Sequence, residues 1–129
     1  MSRSESVVSI RPILPIENTN KTTQELFQNE VLRPILKFQN DVFLSCFKHS
    51  KQFQKYYKRI DKTNLLTKER GLKEFLKNNN KFRDKLYGMI IGMMAVTEYD
   101  TYMENESEYN RRIISMLTKR IVSQFDILL

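Results

Sequence analysis

The sequence feature that most constrains the fold is the run of apolar residues at positions 89–96, MIIGMMAV. A helix over this run is apolar on every side, so other elements must surround it. We therefore expect residues 82–103 to form one central, buried helix. Gly88 and Gly92 are four residues apart and share a helix face, which predicts a close crossing by a neighbouring helix. The run is far shorter than the roughly 20 residues of a membrane span, so we expect no membrane association.

The composition favours helices around this segment. The 129 residues include only three Gly and three Pro, whereas sheet proteins need many tight turns. We expect an all-α, single-domain bundle of four to five helices over residues 22–129. Residues 1–21 are predicted to be an extended N-terminal arm, because Pro12 and Pro15 disfavour helix. A single cysteine, Cys46, and no signal-peptide pattern at the N-terminus predict a cytoplasmic protein.

Local signals predict where helices begin and bend. Thr22 and Glu25 have the spacing of a capping box, so the first helix is expected to begin there. Pro34 falls inside the apolar periodicity that follows, which predicts a kink or short break near residues 31–33. Asn105 and Glu108 predict a second cap of the same type before the last helix.

The positive charge is concentrated in the middle of the chain. The net charge is +7, and residues 48–85 hold 13 Lys and Arg against 4 Asp and Glu. Aromatic residues interleave with these cations, a combination that nucleic-acid-binding surfaces use. The residues predicted to contact a polyanion are Lys51, Lys55, Lys58 and Arg59. The alternative is a lysine-rich face that only meets solvent.

Amides and arginines are placed among apolar residues at several helical positions. The six candidates are Asn29, Arg33, Asn40, Arg83, Asn110 and Arg112. Asn is a poor residue inside a helix unless its side chain finds a partner. One interpretation is a polar network that fixes the register between helices or subunits. The other is a pocket in which the arginines bind an anionic small molecule.

The sequence contains no catalytic constellation that we recognise. Cys46 and His49 could share a helix face, but there is no second Cys or His to complete a zinc site. Of the carboxylates between residues 98 and 108, Glu106 and Glu108 lie at the start of the predicted last helix, where the helix dipole favours them. We therefore predict no catalytic residue, no metal site and no cofactor, and we favour a protein that is not an enzyme.

Several short motifs together resemble a family of short uncharacterised bacterial all-helical proteins. These motifs are residues 10–12 (IRP), 27–29 (FQN), 32–34 (LRP), 39–41 (QND), 82–83 (FR) with Gly88 and Gly92, 98–99 (EY) and 110–112 (NRR). Some members of that family carry the label glyoxalase. The resemblance implies one compact domain and supplies no catalytic residues for this chain.

Three functional hypotheses follow from the sequence. The first is a helical interaction or structural protein that self-associates as a homodimer. Its grounds are the central helix that is apolar on all sides, the apolar arm with its prolines, which packs on its own domain or on a second subunit, and the absence of a catalytic constellation. The second is a nucleic-acid-associated protein that uses residues 48–85. The third is a small enzyme or ligand sensor with the arginine and amide pocket.

Overall fold

The computed structural model describes residues 1–15, Thr19 and residues 21–128, with the backbone alone at Ile127. This part of the chain is all-α and forms no strand. It contains nine α-helices, a π turn (Gln28–Leu32) and a 3₁₀ turn (Phe125–Ile127). The helices are α1 (Arg3–Ile10), α2 (Thr23–Phe27), α3 (Arg33–Phe38), α4 (Asn40–Lys48), α5 (Lys51–Arg59), α6 (Leu65–Asn78), α7 (Asn80–Ile91), α8 (Val96–Glu104) and α9 (Glu106–Val122). The predicted count of four to five helices was wrong, because two long predicted helices are divided and the arm, predicted to be extended, contains α1.

The first division lies where Pro34 predicted it. Thr22 and Glu25 form the expected capping box, with the Glu25 amide donating to the Thr22 hydroxyl at 3.1 Å. Proline has no N–H to donate to the carbonyl one turn back, and the backbone widens into the π turn just before it. The chain then continues helically through α3 and α4, with Gln39 as the junction.

The predicted central helix over residues 82–103 was also wrong, because the chain turns between α7 and α8. Gly92 ends α7, and Ala95 has an extended backbone before α8 begins. Ile90, Met94 and Ala95 are buried as expected, but Val96 is 61% exposed. The apolar run therefore still packs on the core, with Met89, Ile91 and Met93 half-buried, and Val96 is its one exposed side chain.

The glycine pair does not mark a helix crossing. Gly88 is exposed, and a Cβ atom built on it would meet nothing within 4 Å. At Gly92 the nearest atom to such a Cβ is the carbonyl oxygen of Gly88 in the same helix, at 3.2 Å. The two glycines thus belong to the exposed face and the end of α7.

The N-terminal arm docks on its own chain through polar contacts rather than as an extended apolar segment. Residues 3–10 form α1, and none of them is fully buried. Arg3 donates to the carbonyl oxygens of Gly92 and Met94, at 2.8 Å each. Arg11 makes a two-pronged ion pair with Glu98, at 2.9 and 2.8 Å. Arg11 also donates to the Met93 carbonyl at 3.4 Å. The two arginines therefore bind carbonyl oxygens of the turn that follows α7, beyond the end of the helical hydrogen bonds.

The aliphatic residues expected to fill a groove mostly face outward. Ile10 is 52% exposed and Ile13 is 98% exposed, while Arg11 is buried. Residues 12–15 have neither helix nor strand, in keeping with their two prolines. Ile16, Glu17, Asn18 and Asn20, which also belong to the predicted arm, lie outside the described residues.

The most buried element is α9 rather than the predicted central helix. It contributes six buried residues, which are Tyr109, Ile113, Leu117, Thr118, Ile121 and Val122. The cap predicted at its start was wrong, because the Asn105 side chain makes no capping bond. Glu108, expected to complete that cap, instead binds two arginines further along α9.

Thr118 is a polar exception inside this core, and we expect its replacement by valine to raise stability. The residue is 0% exposed, and its hydroxyl oxygen has no hydrogen-bond partner among the described residues. Valine has the same shape without the unpaired hydroxyl, so the free energy of unfolding should rise by about 1 kcal/mol. Urea unfolding measures the change. Thr101→Val is the control, because the Thr101 hydroxyl already donates to the Thr97 carbonyl at 3.1 Å; a loss of stability in Thr118→Val would contradict the unpaired state.

Candidate functional site: an arginine groove

A groove of about 600 Å³ runs between α9 and the segment that contains the π turn and α3. Five of its lining residues are cationic, namely Arg33, Arg111, Arg112, Lys119 and Arg120. Among the described residues, no Asp or Glu lines it. We call this feature the arginine groove. Such a collection of guanidinium groups is suited to anions with several oxygens, because each guanidinium presents a planar fork of donors.

The helical repeat of α9 places the groove residues in one row. Arg112, Met116, Lys119 and Ser123 follow one another at steps of three and four, so they share a face. Eleven residues of helix separate the first from the last, which gives the row a length of about 16 Å. The groove is therefore elongated rather than a compact pocket.

The opposite wall is positioned by the π turn. Gln28 begins that turn, and Arg33 follows it directly. Arg112 donates to the Gln28 side-chain oxygen at 2.8 Å, which ties α9 to the turn across the groove. Arg33 donates through Nε to the Asn29 side-chain oxygen at 2.9 Å. The Pro34 signal in the sequence thus sets one wall of the site.

Glu108 holds two of the arginines at one end. It accepts from Arg111 at 2.6 Å and from Arg112 at 2.9 Å. The hydrogen bond from Arg111 is the main cause that lowers the pKa of this carboxyl, with Arg112 adding to it. Glu108 therefore balances charge at this end and orients both guanidinium groups.

No such balance exists at Arg120. Burial, followed by the nearby charge of Arg33, lowers the pKa of its guanidinium. Within the part of the chain that the structure describes, Arg120 forms no ion pair and its guanidinium donates no hydrogen bond. Arg120 is half-buried and Arg33 is exposed, so the main cost at this place is the partial desolvation of Arg120, and the nearby like charge adds to it. A bound anion would offset both.

The structure brings four of the six predicted polar residues to this region. Arg33 and Arg112 line the groove, and Asn29 binds Arg33 beside it. Asn40 forms a reciprocal amide pair with Gln124, another lining residue, at 2.8 and 2.9 Å.

The other two predicted residues lie elsewhere. Asn110 accepts a short hydrogen bond from the Tyr102 hydroxyl, between α8 and α9. Arg83 lies over the Tyr87 ring on α7, with its charged carbon 6.0 Å from the ring centre. Its Nε is 3.6 Å from Asp84 and makes no hydrogen bond with a described residue. Arg83 does not line the arginine groove.

Sequence reasoning missed Lys119 and Arg120. Their signal was available in the spacing, because Arg112 and Arg120 are eight residues apart and share a helix face. The predicted polyanion contacts lie on a different surface. Lys51, Lys55, Lys58 and Arg59 are all exposed on α5.

No group of three or more His, Cys, Asp or Glu residues in the described part of the chain could hold a metal ion. None of the described helices has both the length and the apolar character that crossing a bilayer demands. No family model, curated protein or solved structure matches the chain. The resemblance to the bacterial family therefore stays a prediction.

Proposed function

We propose that the protein is a non-catalytic binding protein whose arginine groove takes an elongated, multiply charged anion, such as a short chain of phosphates. One observation carries the proposal. Arg120 is partly buried near Arg33 in a groove to which the described residues contribute no carboxylate. A polyanion bound between these two guanidinium groups would attract both of them and would offset their mutual repulsion.

The shape of the groove favours a chain of anionic groups over a single one. Arg112 and Arg120 are separated by eight residues of helix, which corresponds to about 12 Å. A single phosphate is too small to bridge that distance. Among the described lining residues there is no aromatic ring on which a base could stack. A phosphate chain without bases is therefore the ligand class that the lining supports best.

Tripolyphosphate titration by calorimetry at low salt tests the proposal. We expect Arg120→Ala and Arg33→Ala each to weaken binding by about tenfold or more, because each removes a charge-assisted contact. Orthophosphate should bind more weakly than tripolyphosphate to the unchanged protein. Raising the salt concentration should weaken the tripolyphosphate complex, because its attraction is largely electrostatic.

Lys55→Ala is the matched control for these variants. Lys55 is an exposed cation on α5, outside the groove, so its removal changes the net charge by the same amount. We expect its affinity for tripolyphosphate to stay within about twofold of the unchanged protein. Equal losses in Lys55→Ala and Arg120→Ala would indicate a general charge effect and would remove the case for the groove.

Self-association is a second proposal, favoured by an apolar stripe on α8. Val96, Tyr99 and Met103 are at positions i, i+3 and i+7, and they are 61%, 39% and 45% exposed. A homodimer would cover this stripe. Sedimentation that finds only monomer at tens of micromolar protein would end the proposal, whereas a dimer that Tyr99→Glu dissociates would support it.

Nucleic-acid binding by residues 48–85 and a cytoplasmic location stay predictions. The four exposed cations on α5 share one face, at positions i, i+4, i+7 and i+8. A gel shift that is lost as salt rises would support binding there.

A further inference from the structure

We propose that a second cavity, separate from the arginine groove, binds a small amphipathic anion that has one acidic head group and an apolar chain. The cavity lies where the end of α4 and the start of α5 face the junction between α6 and α7. Its volume is about 1020 Å³, just above the range of about 300–1,000 Å³ found for small-molecule sites. We call it the lysine cavity, after Lys51, Lys81 and Lys85 in its lining.

One side of the lysine cavity is apolar. Val42, Cys46 and Phe82 line it. Phe82 packs against Phe47 of the core, with ring centres 4.9 Å apart, so this side continues the hydrophobic core outward. Val42 is 51% exposed on a helix that buries Phe43 and Phe47 on its other face. An apolar chain lying here would remove that side chain from water.

The other side is positively charged. All three lysines are exposed, and the described residues contribute no carboxylate to the lining. The first turn of α7 adds to this field, because it contains no acidic residue. The Asn79 side chain does not cap that turn and donates instead to the Phe75 carbonyl at 2.7 Å. A head group with one negative charge would meet cations on the rim while its chain lies on Val42 and Phe82.

The two cavities therefore differ in the ligand that suits them. The arginine groove presents planar guanidinium forks in a row, which suits several anionic groups in sequence. The lysine cavity presents point charges beside an apolar wall, which suits one anionic group joined to a hydrocarbon. This inference does not depend on the proposed function of the arginine groove, since the two share no lining residue.

The only cysteine in the sequence provides a direct probe. Cys46 lines the cavity, is partly buried and points its sulfur towards Met89, 3.7 Å away. A ligand on the apolar wall should block access to this thiol. We expect decanoate, below its micelle concentration, to slow the reaction of Cys46 with Ellman's reagent by about fivefold or more at saturation. Acetate has the charge without the chain and should not slow it, and decanol should protect less than decanoate at equal concentration.

Calorimetric titration with decanoate then locates the contacts. Val42→Glu places a carboxylate on the apolar wall and should weaken decanoate binding by about tenfold or more. Lys85→Ala should weaken it by about two- to fivefold, as expected for a partly solvated charge contact. Lys77→Ala is the control, because Lys77 is an exposed cation of α6 outside the cavity. Val42 and Lys85 are both exposed, so neither change should disturb folding.

Each outcome decides the proposal. Protection of Cys46 by decanoate, together with the expected order of the variants, supports it. Equal protection by decanol and decanoate would show that the acidic head group does not contribute to binding, and it would overturn the proposal of an anionic ligand. No binding of decanoate at millimolar concentration, or unchanged binding in Val42→Glu, would overturn the site.

Discussion

Replacing Arg11 with alanine is expected to lower the free energy of unfolding by about 3 kcal/mol, the lower end of the range for breaking a buried ion pair. The Arg11 side chain is 5% exposed, and its partner Glu98 is 17% exposed. Glu98 also accepts from the backbone N–H of Ala95 at 2.8 Å, so the same carboxylate begins α8. Without Arg11 this charge keeps its backbone contact but loses its counter-ion. Urea unfolding followed by circular dichroism measures the loss.

The loss should be accompanied by release of α1. This helix buries none of its eight residues fully, and three hydrogen bonds, from Arg3 and to Ser4, join it to the turn after α7 and the start of α8. Amide hydrogen exchange in residues 3–10 should therefore accelerate in Arg11→Ala, while exchange in α9 stays slow. Arg11→Lys keeps the charge but loses the two-pronged geometry, so we expect an intermediate effect.

Arg111→Ala is the matched control for this prediction. Arg111 also pairs with a glutamate at short distance, but its side chain is 68% exposed. Exposed ion pairs contribute about 0–1 kcal/mol, so the loss should be small. If Arg11→Ala and Arg111→Ala lose the same stability, the ion pair between the arm and α8 does not hold α1 in place.

The parts of the fold that the sequence predicted are those set by neighbouring residues. The capping box at Thr22 and the disruption before Pro34 depend on atoms within one helical turn. The turn between α7 and α8 depends on partners about 90 residues away. Arg3 and Arg11 donate hydrogen bonds to the carbonyls of Gly92, Met93 and Met94. No pattern of neighbouring residues in the sequence predicts those contacts. From the local sequence alone, the apolar run at residues 89–96 therefore predicts one continuous helix.

The candidate site likewise contains residues that the sequence predicts and residues that only the packing of the helices shows. The sequence predicts Arg33 and Arg112 as site residues because polar residues among apolar ones need partners, and both line the arginine groove. The sequence predicts Arg83 on the same ground, but it lies on α7 and does not line the groove. The residues around an arginine in the sequence do not show which face of its helix contacts a neighbouring helix. Arg120 is not among the predicted residues, although its partial burial near Arg33 lowers the pKa of its guanidinium. Such burial is a property of packing between α9 and the π turn.

A second large effect is expected at Gly71, in the middle of α6. A Cβ atom built there would overlap the Tyr56 hydroxyl and lie 3.3 Å from the ring carbon that carries it. The ring is held in place by stacking on Phe75 at 5.3 Å and by Phe53 at 5.8 Å, so it cannot easily move aside. Overpacking of this kind costs about 1–3 kcal/mol. Replacing a helical glycine by alanine gains at most about 1 kcal/mol in helix propensity, so the cost outweighs the gain over most of that range. Gly71→Ala should therefore lower the free energy of unfolding.

The Tyr56 hydroxyl offers a way to isolate the cause. Burial raises the pKa of Tyr56 to about 12, and its oxygen has no hydrogen-bond partner among the described residues. Tyr56→Phe removes this unpaired group, so the change alone should leave stability equal or higher. In that background Gly71→Ala should lose most of its cost, which gives a coupling energy of about 1 kcal/mol or more in a double-mutant cycle.

Gly88→Ala is the matched control, because the exposed Gly88 has nothing within 4 Å of a new Cβ and should gain stability from propensity alone. If Gly71→Ala stabilises the protein as Gly88→Ala does, then α5 and α6 do not approach each other as closely as Tyr56 and Gly71 indicate.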